Sequence, residues 1–317
     1  MWKKPDIDQA IKYFEKALSL DDKNKTSLRS LSMIIRTKDA NTQEEKSQIA
    51  QSSLDYAKRA IKLDMQDPSS WYVYGNAFFY KAFIDKTQYN DLNMALSAYN
   101  KSQEKNIKYK NPDLYYNRGV VHAYLENYEK AYNDFMEANA IDQNLKSDEL
   151  CQSIITTVST INKLVKNQCG LKPRNLAQIV TSVPTHLRDD VQYELSNIRN
   201  LKEGENKGKI ITGKIIQSAK SCFEVPISLV VLDFEGEFAA LSLYNISKEF
   251  LDTVNYKSSS FIVLNPFLKT ISMEDKKEGK KLEYKCIQVN DLQSFLVDGK
   301  FCSGFASSAV LNSTFFN

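Results

Sequence analysis

Hydrophobic residues recur at helical spacing through the first half of the chain and at strand-like spacing through its last third. The clearest helical pattern lies in 146–168, with apolar side chains at Leu150, Ile154, Ile155, Val158, Ile161, Leu164 and Val165. From 209 onward, short β-branched and aromatic segments are separated by turn residues. The pattern predicts an α-helical domain followed by a β domain.

Small and aromatic residues in 112–145 fall at positions where two antiparallel helices must touch. They are Tyr115, Gly119, Ala131, Phe135 and Ala138. This spacing is typical of one complete tetratricopeptide (TPR) repeat. A single helix pair of this kind cannot bury its apolar face alone, so neighbouring repeats are expected. TPR stacks bind extended or helical peptides on their concave face, which indicates a binding module.

Further repeats are predicted upstream of the complete one. In 69–102, Trp71 and Gly75 are spaced like Tyr115 and Gly119, and 25–65 contains another helix pair with a second helix beginning at 49. Residues 5–22 resemble only the second helix of a repeat. We therefore expect either an N-terminally shortened member of a longer protein or a repeat edge that a partner caps.

The C-terminal part predicts five strands with one helix, NISKEFLDTVN, after the third and with Ser247 as its N-cap. This order is that of an OB-fold barrel. A last hairpin turns at Asp298-Gly299, a pair that favours a type I′ turn. The expected domains are a TPR α-solenoid at 1–168 (a half repeat, about three repeats and a closing helix), a connector at 169–206, and a five-stranded OB-fold barrel at 207–317.

Composition narrows the function classes. The 317-residue chain has a net charge of +3, five scattered cysteines and two histidines. These counts argue against wholesale nucleic-acid binding, a disulfide framework and a metal site, so no cofactor is expected. Neither a secretory signal nor a stretch of about 20 apolar residues is present, so no membrane partner is expected and the cytoplasm and nucleus are the predicted compartments. The motifs GxSxG, GxxxxGK[ST] and HExxH are absent, and we predict that the protein is not an enzyme.

The TPR register also predicts which side chains line the concave groove. The candidate peptide-binding residues are Arg29, Arg36, Tyr72, Asn76, Asp113 and Asn117. Asparagine side chains can hold a peptide backbone, aspartate can take a ligand arginine, and arginine can take a ligand carboxylate. The groove thus favours a short peptide with one basic and one acidic residue. The alternative is that Arg29, Arg36 and Asp113 lie on solvated helix faces and that Tyr72 only packs.

Two other binding modes fit the sequence less well. A TPR clamp for C-terminal carboxylates needs cations where this chain has Asp113 and Asn117, so capture of chaperone tails is disfavoured. The barrel aromatics Phe234, Tyr244, Phe267 and Tyr284 either stack single-stranded bases or fill a small core, and the core role is favoured.

The chain resembles the tetratricopeptide repeat protein 5 family, also called Strap, along essentially its whole length. In the repeats the similarity is carried by WKK…A…F at 2–14, LSMIIR at 31–36, SWYVYGNA at 70–77, ALSAY at 95–99 and NPDLYYNR at 111–118. In the barrel it is carried by GKII, VPISLVVLDFEG, AALSLYN and FLVDGK. The resemblance implies that an N-terminal part of the family protein is absent here.

Family membership would imply two activities. One is recognition of the N-terminal Met-Arg-Glu peptide of nascent tubulin at the ribosome, with recruitment of a factor that leads to decay of tubulin mRNA. The other is a nuclear role as a stress-responsive transcriptional cofactor that works with coactivators. For the first activity, the family's groove arginine corresponds to Arg36 and its groove aspartate to Asp113. The peptide arginine would then pair with Asp113 and the peptide glutamate with Arg36.

The resemblance also implies a ribosome contact. The family's basic pair that faces ribosomal RNA falls on Lys172 and Arg174, which flank a proline. Cations in a rigid turn suit phosphate contacts whose strength depends on salt. A further acidic groove residue of the family falls near Ser147, where Asp148 or Glu149 would substitute for it.

The leading hypothesis is therefore a non-enzymatic adaptor that captures a nascent tubulin N-terminus at the ribosome. The alternative is a nuclear stress-responsive scaffold whose OB-fold contacts nucleic acid or a protein partner.

Overall fold

A computed structural model describes residues 6–84, 88–105, 110–185, 193–276 and 279–307. The helices are α1 Ile7–Leu20, α2 Lys25–Ile34, α3 Gln43–Leu63, α4 Pro68–Ile84, α5 Gln88–Lys105, α6 Pro112–Tyr124, α7 Tyr128–Ile141, α8 Ser147–Lys166 and α9 Pro173–Thr181. Within these residues, no helix has the length and apolar character needed to cross a bilayer. The helical first half is as the hydrophobic spacing predicts.

Helix α3 begins six residues earlier than expected, inside the polar segment assigned to an insertion. Thr42 is its N-cap and forms a capping box with Glu45: the Thr42 hydroxyl accepts from the Glu45 backbone, and the Glu45 carboxylate accepts from the Thr42 backbone. This reciprocal pair satisfies two amides that the helix end would leave free. The predicted start at 49 was wrong because that polar first turn is stabilised by capping and not by burial.

Two glycines let neighbouring helices approach closely. A Cβ on Gly119 would come within 2.8 Å of the Phe135 ring, and a Cβ on Gly75 within 2.6 Å of the Tyr99 ring. Phe135 and Tyr99 are almost completely buried. The helix contact predicted at Gly119 is therefore confirmed, and 69–102 repeats it.

The β region is one open sheet with ten strands among the described residues, whereas a five-stranded barrel was predicted. The strands are β1 Glu194–Leu195, β2 Gly204–Glu205, β3 Lys209–Ser218, β4 Ile227–Asp233, β5 Phe238–Leu243, β6 Ser260–Leu264, β7 Phe267–Asp275, β8 Lys280–Val289, β9 Phe295–Val297 and β10 Lys300–Phe301. Their order is β10-β9-β6-β3-β4-β5-β8-β7-β2, and β1 pairs with β3. The expected fourth strand is split, because Asn265 has a positive φ and Pro266 lacks an amide donor.

The segment after β5, which was predicted to be helical, is a 3₁₀-helix, Lys248–Thr253. Ser247 occupies the N-cap position but makes no capping hydrogen bond. The predicted hairpin at Asp298-Gly299 is present: β9 and β10 pair antiparallel, and both turn residues have positive φ. A type I′ turn requires this conformation.

Residue contacts divide the chain into two compact units. One contains 1–122 and 133–147, and the other contains Ala123–Tyr132 and Asp148–Ala309. Helix α8, predicted to close the repeats, is thus grouped mainly with the sheet. The sheet's apolar core includes fully buried Leu229, Leu241, Phe261 and Phe295.

A buried acidic residue, Glu126, joins 123–132 to the sheet inside the second unit. Its side chain accepts hydrogen bonds from Ser242 at 2.7 Å, Gln288 at 2.6 Å and Tyr244 at 3.1 Å. Nearby, the Lys269 ammonium donates to the Leu125 carbonyl at 2.5 Å. A buried carboxylate is tolerated only when its oxygens are satisfied in this way.

Candidate functional site

Arg36 lies at the C-terminal end of α2, in a short 3₁₀ turn that follows it. It is half-buried, and its guanidinium donates to the Ser32 carbonyl at 3.1 Å and to the Asn76 carbonyl at 2.8 Å. Burial lowers the pKa of Arg36, although an arginine stays protonated at neutral pH. No carboxylate among the described residues pairs with it. Arg36 is thus a fixed cation without an anionic partner in the described part of the chain.

Asn76 connects Arg36 to the next repeat. Its Oδ1 accepts from the Tyr99 hydroxyl at 2.7 Å and from Asn117 Nδ2 at 3.1 Å. Asn117 also makes a long hydrogen bond, 3.4 Å, to the Tyr72 hydroxyl. Asn76 is only 8% exposed, and both acceptor positions of its side-chain oxygen are occupied. The amide predicted to hold a peptide backbone therefore orders other groove residues.

Asp113 lies in the first turn of α6, four residues before Asn117 and so on the same helix face. Its side chain is exposed, and no cation among the described residues pairs with it. Partial desolvation by the surrounding protein and the charge of Asp142 both raise the pKa of this carboxyl, although its side chain still reaches solvent. Asp113 and Asp142 are thus near enough to repel each other, which favours a cationic ligand at this end.

Tyr72 lies near both charged ends of the groove, because Asp113 and Arg36 both affect its pKa. Its pKa is raised by burial and by Asp113, whereas the hydrogen bond from Asn76 and the charge of Arg36 lower it. The influence of a charge on a pKa weakens with distance, so Asp113 and Arg36 both lie near Tyr72. The structure therefore brings together Arg36, Tyr72, Asn76, Asn117 and Asp113, five of the six predicted groove residues.

Arg29, the sixth residue, is held elsewhere. Its guanidinium forms an ion pair with Asp67, the residue immediately before α4, and the arginine side chain is 22% exposed. Asp67 also accepts from the Ser70 hydroxyl at 2.5 Å, and its other oxygen accepts from the Ser69 amide at 3.2 Å. Arg29 thus has an internal partner that stabilises the start of a helix, a role that differs both from the predicted peptide contact and from the solvated helix face named as the alternative.

Lys172 and Arg174 begin α9, on either side of Pro173. Both are exposed, and neither forms an ion pair with a described residue. The start of a helix carries a partial positive charge, and no side chain caps this one. Two cations there are poorly placed to stabilise the helix itself, which leaves them available to an anion.

The sheet aromatics are less accessible than base stacking requires. Tyr244 is 3% exposed and donates to the Tyr124 carbonyl at 3.0 Å, and Tyr284 is 4% exposed. Phe234 and Phe267 are half-buried. The favoured role of the two tyrosines as packed residues is therefore the one that the structure has. In the described part of the chain, no cluster of three or more His, Cys, Asp or Glu is arranged to hold a metal ion.

Two residues that act on the groove were missed, and one expected position is closed. Asp142, whose charge raises the pKa of Asp113, follows α7 and so lies outside the first-helix positions that were searched. Tyr99 is a buried residue of a second helix, also outside those positions. Ser147 is fully buried and donates to the Phe135 carbonyl at 2.9 Å, so it cannot contact a ligand in the groove.

Comparison with known families gives two matches. The family model described as "Tetratricopeptide repeat protein 5 OB fold domain" matches residues 192–308. A tetratricopeptide repeat model matches residues 2–24 and 112–145. The range 112–145 is the complete repeat that was identified from its small residues. The OB fold match at 192–308 contains all ten described strands.

Most of this chain is also similar to curated proteins that are named tetratricopeptide repeat protein 5. Tetratricopeptide repeat protein 5 of Mus musculus is 29% identical over 314 residues, which cover 94% of this chain and 70% of the relative. That of Homo sapiens is 29% identical over 324 residues, which cover 98% of this chain and 72% of the relative.

Solved structures include TPR proteins with a weaker likeness. A thermophilic TPR protein of Thermus thermophilus is 17% identical, with a TM-score of 0.40 over 52% of this chain and 80% of its own. MamA is 19% identical, with a TM-score of 0.37 over 49% of this chain and 85% of its own. On the family-model matches and the curated relatives, the chain belongs to the tetratricopeptide repeat protein 5 family.

Proposed function

We propose that the repeats bind a short peptide with an arginine followed by a glutamate, and that this peptide is the N-terminus of nascent tubulin. One observation carries the proposal. Arg36 and Asp113 are opposite charges without internal ion-pair partners among the described residues. Asn76 connects Arg36 to Asn117, which lies on the same face of α6 as Asp113. A ligand carboxylate at Arg36 and a ligand guanidinium at Asp113 would satisfy both charges.

Peptide binding tests this directly. Wild-type protein should bind a Met-Arg-Glu peptide more tightly than a Met-Glu-Arg peptide of the same composition. Asp113→Lys should weaken Met-Arg-Glu binding by about tenfold or more, because like charges facing each other across an interface cost several kcal/mol. Asp22→Lys is the matched control, since Asp22 is an exposed aspartate with no described partner.

A charge swap makes the test sharper. The double variant Arg36→Glu/Asp113→Lys should lose Met-Arg-Glu and gain Met-Glu-Arg, because both ion pairs are reversed together. Equal affinity of wild type for the two peptides would contradict the proposal, and so would an Asp113→Lys variant that binds as wild type does.

The second part of the proposal is that Lys172 and Arg174 contact ribosomal RNA while the groove holds the peptide. Its support is the exposure of both cations and their lack of described partners. Each phosphate contact adds about 0.7–0.9 to the slope of log affinity against log salt concentration. Lys172→Glu/Arg174→Glu should therefore reduce ribosome co-sedimentation and flatten that slope. Lys202→Glu/Lys300→Glu changes the net charge equally at other exposed lysines and should do neither.

An adaptor of this kind would recruit a further factor that starts decay of the tubulin mRNA. Capture from a translating lysate tests this part: ribosomes that carry tubulin chains should be retained by wild-type protein and not by Asp113→Lys. The same lysate programmed with an mRNA whose product lacks the Arg-Glu pair is the control.

A further inference from the structure

Two repeats of this chain, 69–102 and 112–145, can be compared at the position where the second helix packs against a glycine of the first. In both 69–102 and 112–145 an aromatic ring lies against a glycine of the preceding helix: Tyr99 against Gly75, and Phe135 against Gly119. Both rings are buried. Since Phe135 occupies this position without a hydroxyl, packing of the repeat does not require one.

The residue after each glycine differs in the same way. Asn76 follows Gly75, and Val120 follows Gly119, and both side chains are buried. The repeat with the tyrosine thus has a buried polar pair where the next repeat has an apolar pair. A buried polar pair adds little stability over an apolar pair of similar shape, so its presence needs another reason.

We infer that Tyr99 is a positioning residue of the groove, which acts on the ligand through Asn76. Its ring cannot shift, because Gly75 holds it closely, and its hydroxyl donates to Asn76 Oδ1 at 2.7 Å. Asn117 donates to the side-chain oxygen of this fixed Asn76, and Arg36 donates to its backbone carbonyl. Because the contact of Arg36 is with the backbone, it does not depend on the Asn76 side chain. The buried Tyr99 hydroxyl therefore sets the orientation of the Asn76 amide and, through it, that of Asn117. The inference rests on the proposed peptide-binding function.

Tyr99→Phe is the decisive variant, because the ring stays and only the donor is lost. Its affinity for Met-Arg-Glu should fall by about three- to tenfold, the effect of one hydrogen bond. Tyr74→Phe, at a half-buried tyrosine of α4 without a described hydroxyl partner, is the matched control and should bind as wild type does.

Two further measurements test whether Tyr99 acts through Asn117. Met-Arg-Gln lacks the charge that Arg36 would bind but keeps the backbone that Asn117 would hold, so Tyr99→Phe should weaken Met-Arg-Gln and Met-Arg-Glu by the same factor. In an Asn117→Ala background, Tyr99→Phe should have little further effect on Met-Arg-Glu, because the two residues act on one contact. Unequal losses for the two peptides, or additive losses in the double variant, would overturn the positioning role.

A measurement without peptide separates this inference from the function on which it rests. The side-chain amide resonance of Asn117 should move in Tyr99→Phe and stay in place in Tyr74→Phe. If wild type binds neither peptide, the proposed function fails. If wild type binds and Tyr99→Phe has unchanged affinity and an unchanged Asn117 resonance, only the positioning role fails.

Discussion

Gln288 donates a 2.6 Å hydrogen bond to the carboxylate of Glu126, although 162 positions separate them in sequence. Ser242 and Tyr244 donate to the same carboxylate, which is 2% exposed. Three donors that converge on one buried acid make this residue a strong determinant of stability in the second unit.

Glu126→Gln should lower the free energy of unfolding by about 1–3 kcal/mol, because the amide nitrogen brings a donor to a place where donors already point. Glu129→Gln, an exposed neighbour, should change it by less than about 0.5 kcal/mol. Denaturant unfolding followed by circular dichroism measures both. Equal stability of the two variants would contradict the role given to the Glu126 network.

Close packing at the repeat glycines gives a second prediction. Gly75→Ala would place a methyl group 2.6 Å from the buried Tyr99 ring, and Gly119→Ala would place one 2.8 Å from the Phe135 ring. Each should cost about 1–3 kcal/mol of stability through overpacking. Gly304→Ala is the control, because nothing lies within 4 Å of its added Cβ. Thermal unfolding that ranks Gly304→Ala with the other two would show that the helices adjust freely.

Arg118 and Asp134 form a buried ion pair with hydrogen bonds of 2.8 and 2.6 Å. Burial raises the pKa of Asp134, while the hydrogen bond and charge of Arg118 lower it. Arg118→Met leaves that carboxylate unpaired and should cost about 3–5 kcal/mol. Arg118→Met/Asp134→Leu should recover part of the loss, and Arg59→Met, at an exposed arginine, is the control. A double variant less stable than Arg118→Met would contradict this explanation.

The acidic end of the groove should respond to pH. Asp113 has a raised pKa, so its carboxyl protonates at a higher pH than an ordinary aspartate, whose pKa is about 3.9. Protonation removes the charge that would bind the arginine of the proposed peptide. Peptide affinity should therefore fall as the pH is lowered through the pKa of Asp113. The stability of the protein without ligand depends on pH in the opposite direction. Because the folded state raises the pKa of Asp113, ionisation of this carboxyl opposes folding. Its contribution to the free energy of unfolding is therefore lost as the pH rises through the pKa of Asp113.

Asp142→Asn tests the cause of that shift. Removing the neighbouring charge should lower the pKa of Asp113 and move the loss of peptide binding to lower pH. Carboxyl carbon resonances followed during a titration, beside peptide affinity at each pH, measure both effects. An unchanged Asp113 midpoint would mean that burial alone causes the shift.

Thiol chemistry gives a last prediction. Cys222 is exposed, whereas burial raises the pKa of Cys151, Cys169 and Cys302 to about 11. Burial also raises the pKa of Cys286 well above its ordinary value. Only the thiolate reacts quickly with alkylating reagents. At pH 8 a maleimide should therefore label Cys222 first, and Cys222→Ser should abolish the fast phase. Mass spectrometry that finds Cys169 labelled at the same rate would contradict this ranking.

Much of the fold could be predicted because repeat packing depends on local residue size. Gly119 and Phe135 must face each other in any helix pair of this kind. The break of the expected fourth strand could also have been predicted, since Pro266 cannot donate to a central ladder. The start of α3 could have been found from Thr42 and Glu45, whose spacing is that of a capping box.

The groove was less predictable, because its residues depend on contacts between repeats. The TPR register selected Arg36, Asn117 and Asp113, but a register does not reveal which side chains are already satisfied. Arg29 has Asp67 as a partner through the fold, and Asp142 acts on Asp113 from the other end of the repeat. Such pairings depend on the angle between successive helices, which spacing along the chain does not determine.

The two carbonyl contacts of Arg36 have a consequence for timing. Since the Ser32 and Asn76 carbonyls hold the guanidinium in place, the cation is already ordered before the carboxylate of the proposed peptide binds. Little entropy is then lost on the protein side, and the speed of capture depends mainly on diffusion and long-range attraction. Such readiness suits a target that is available only for a moment.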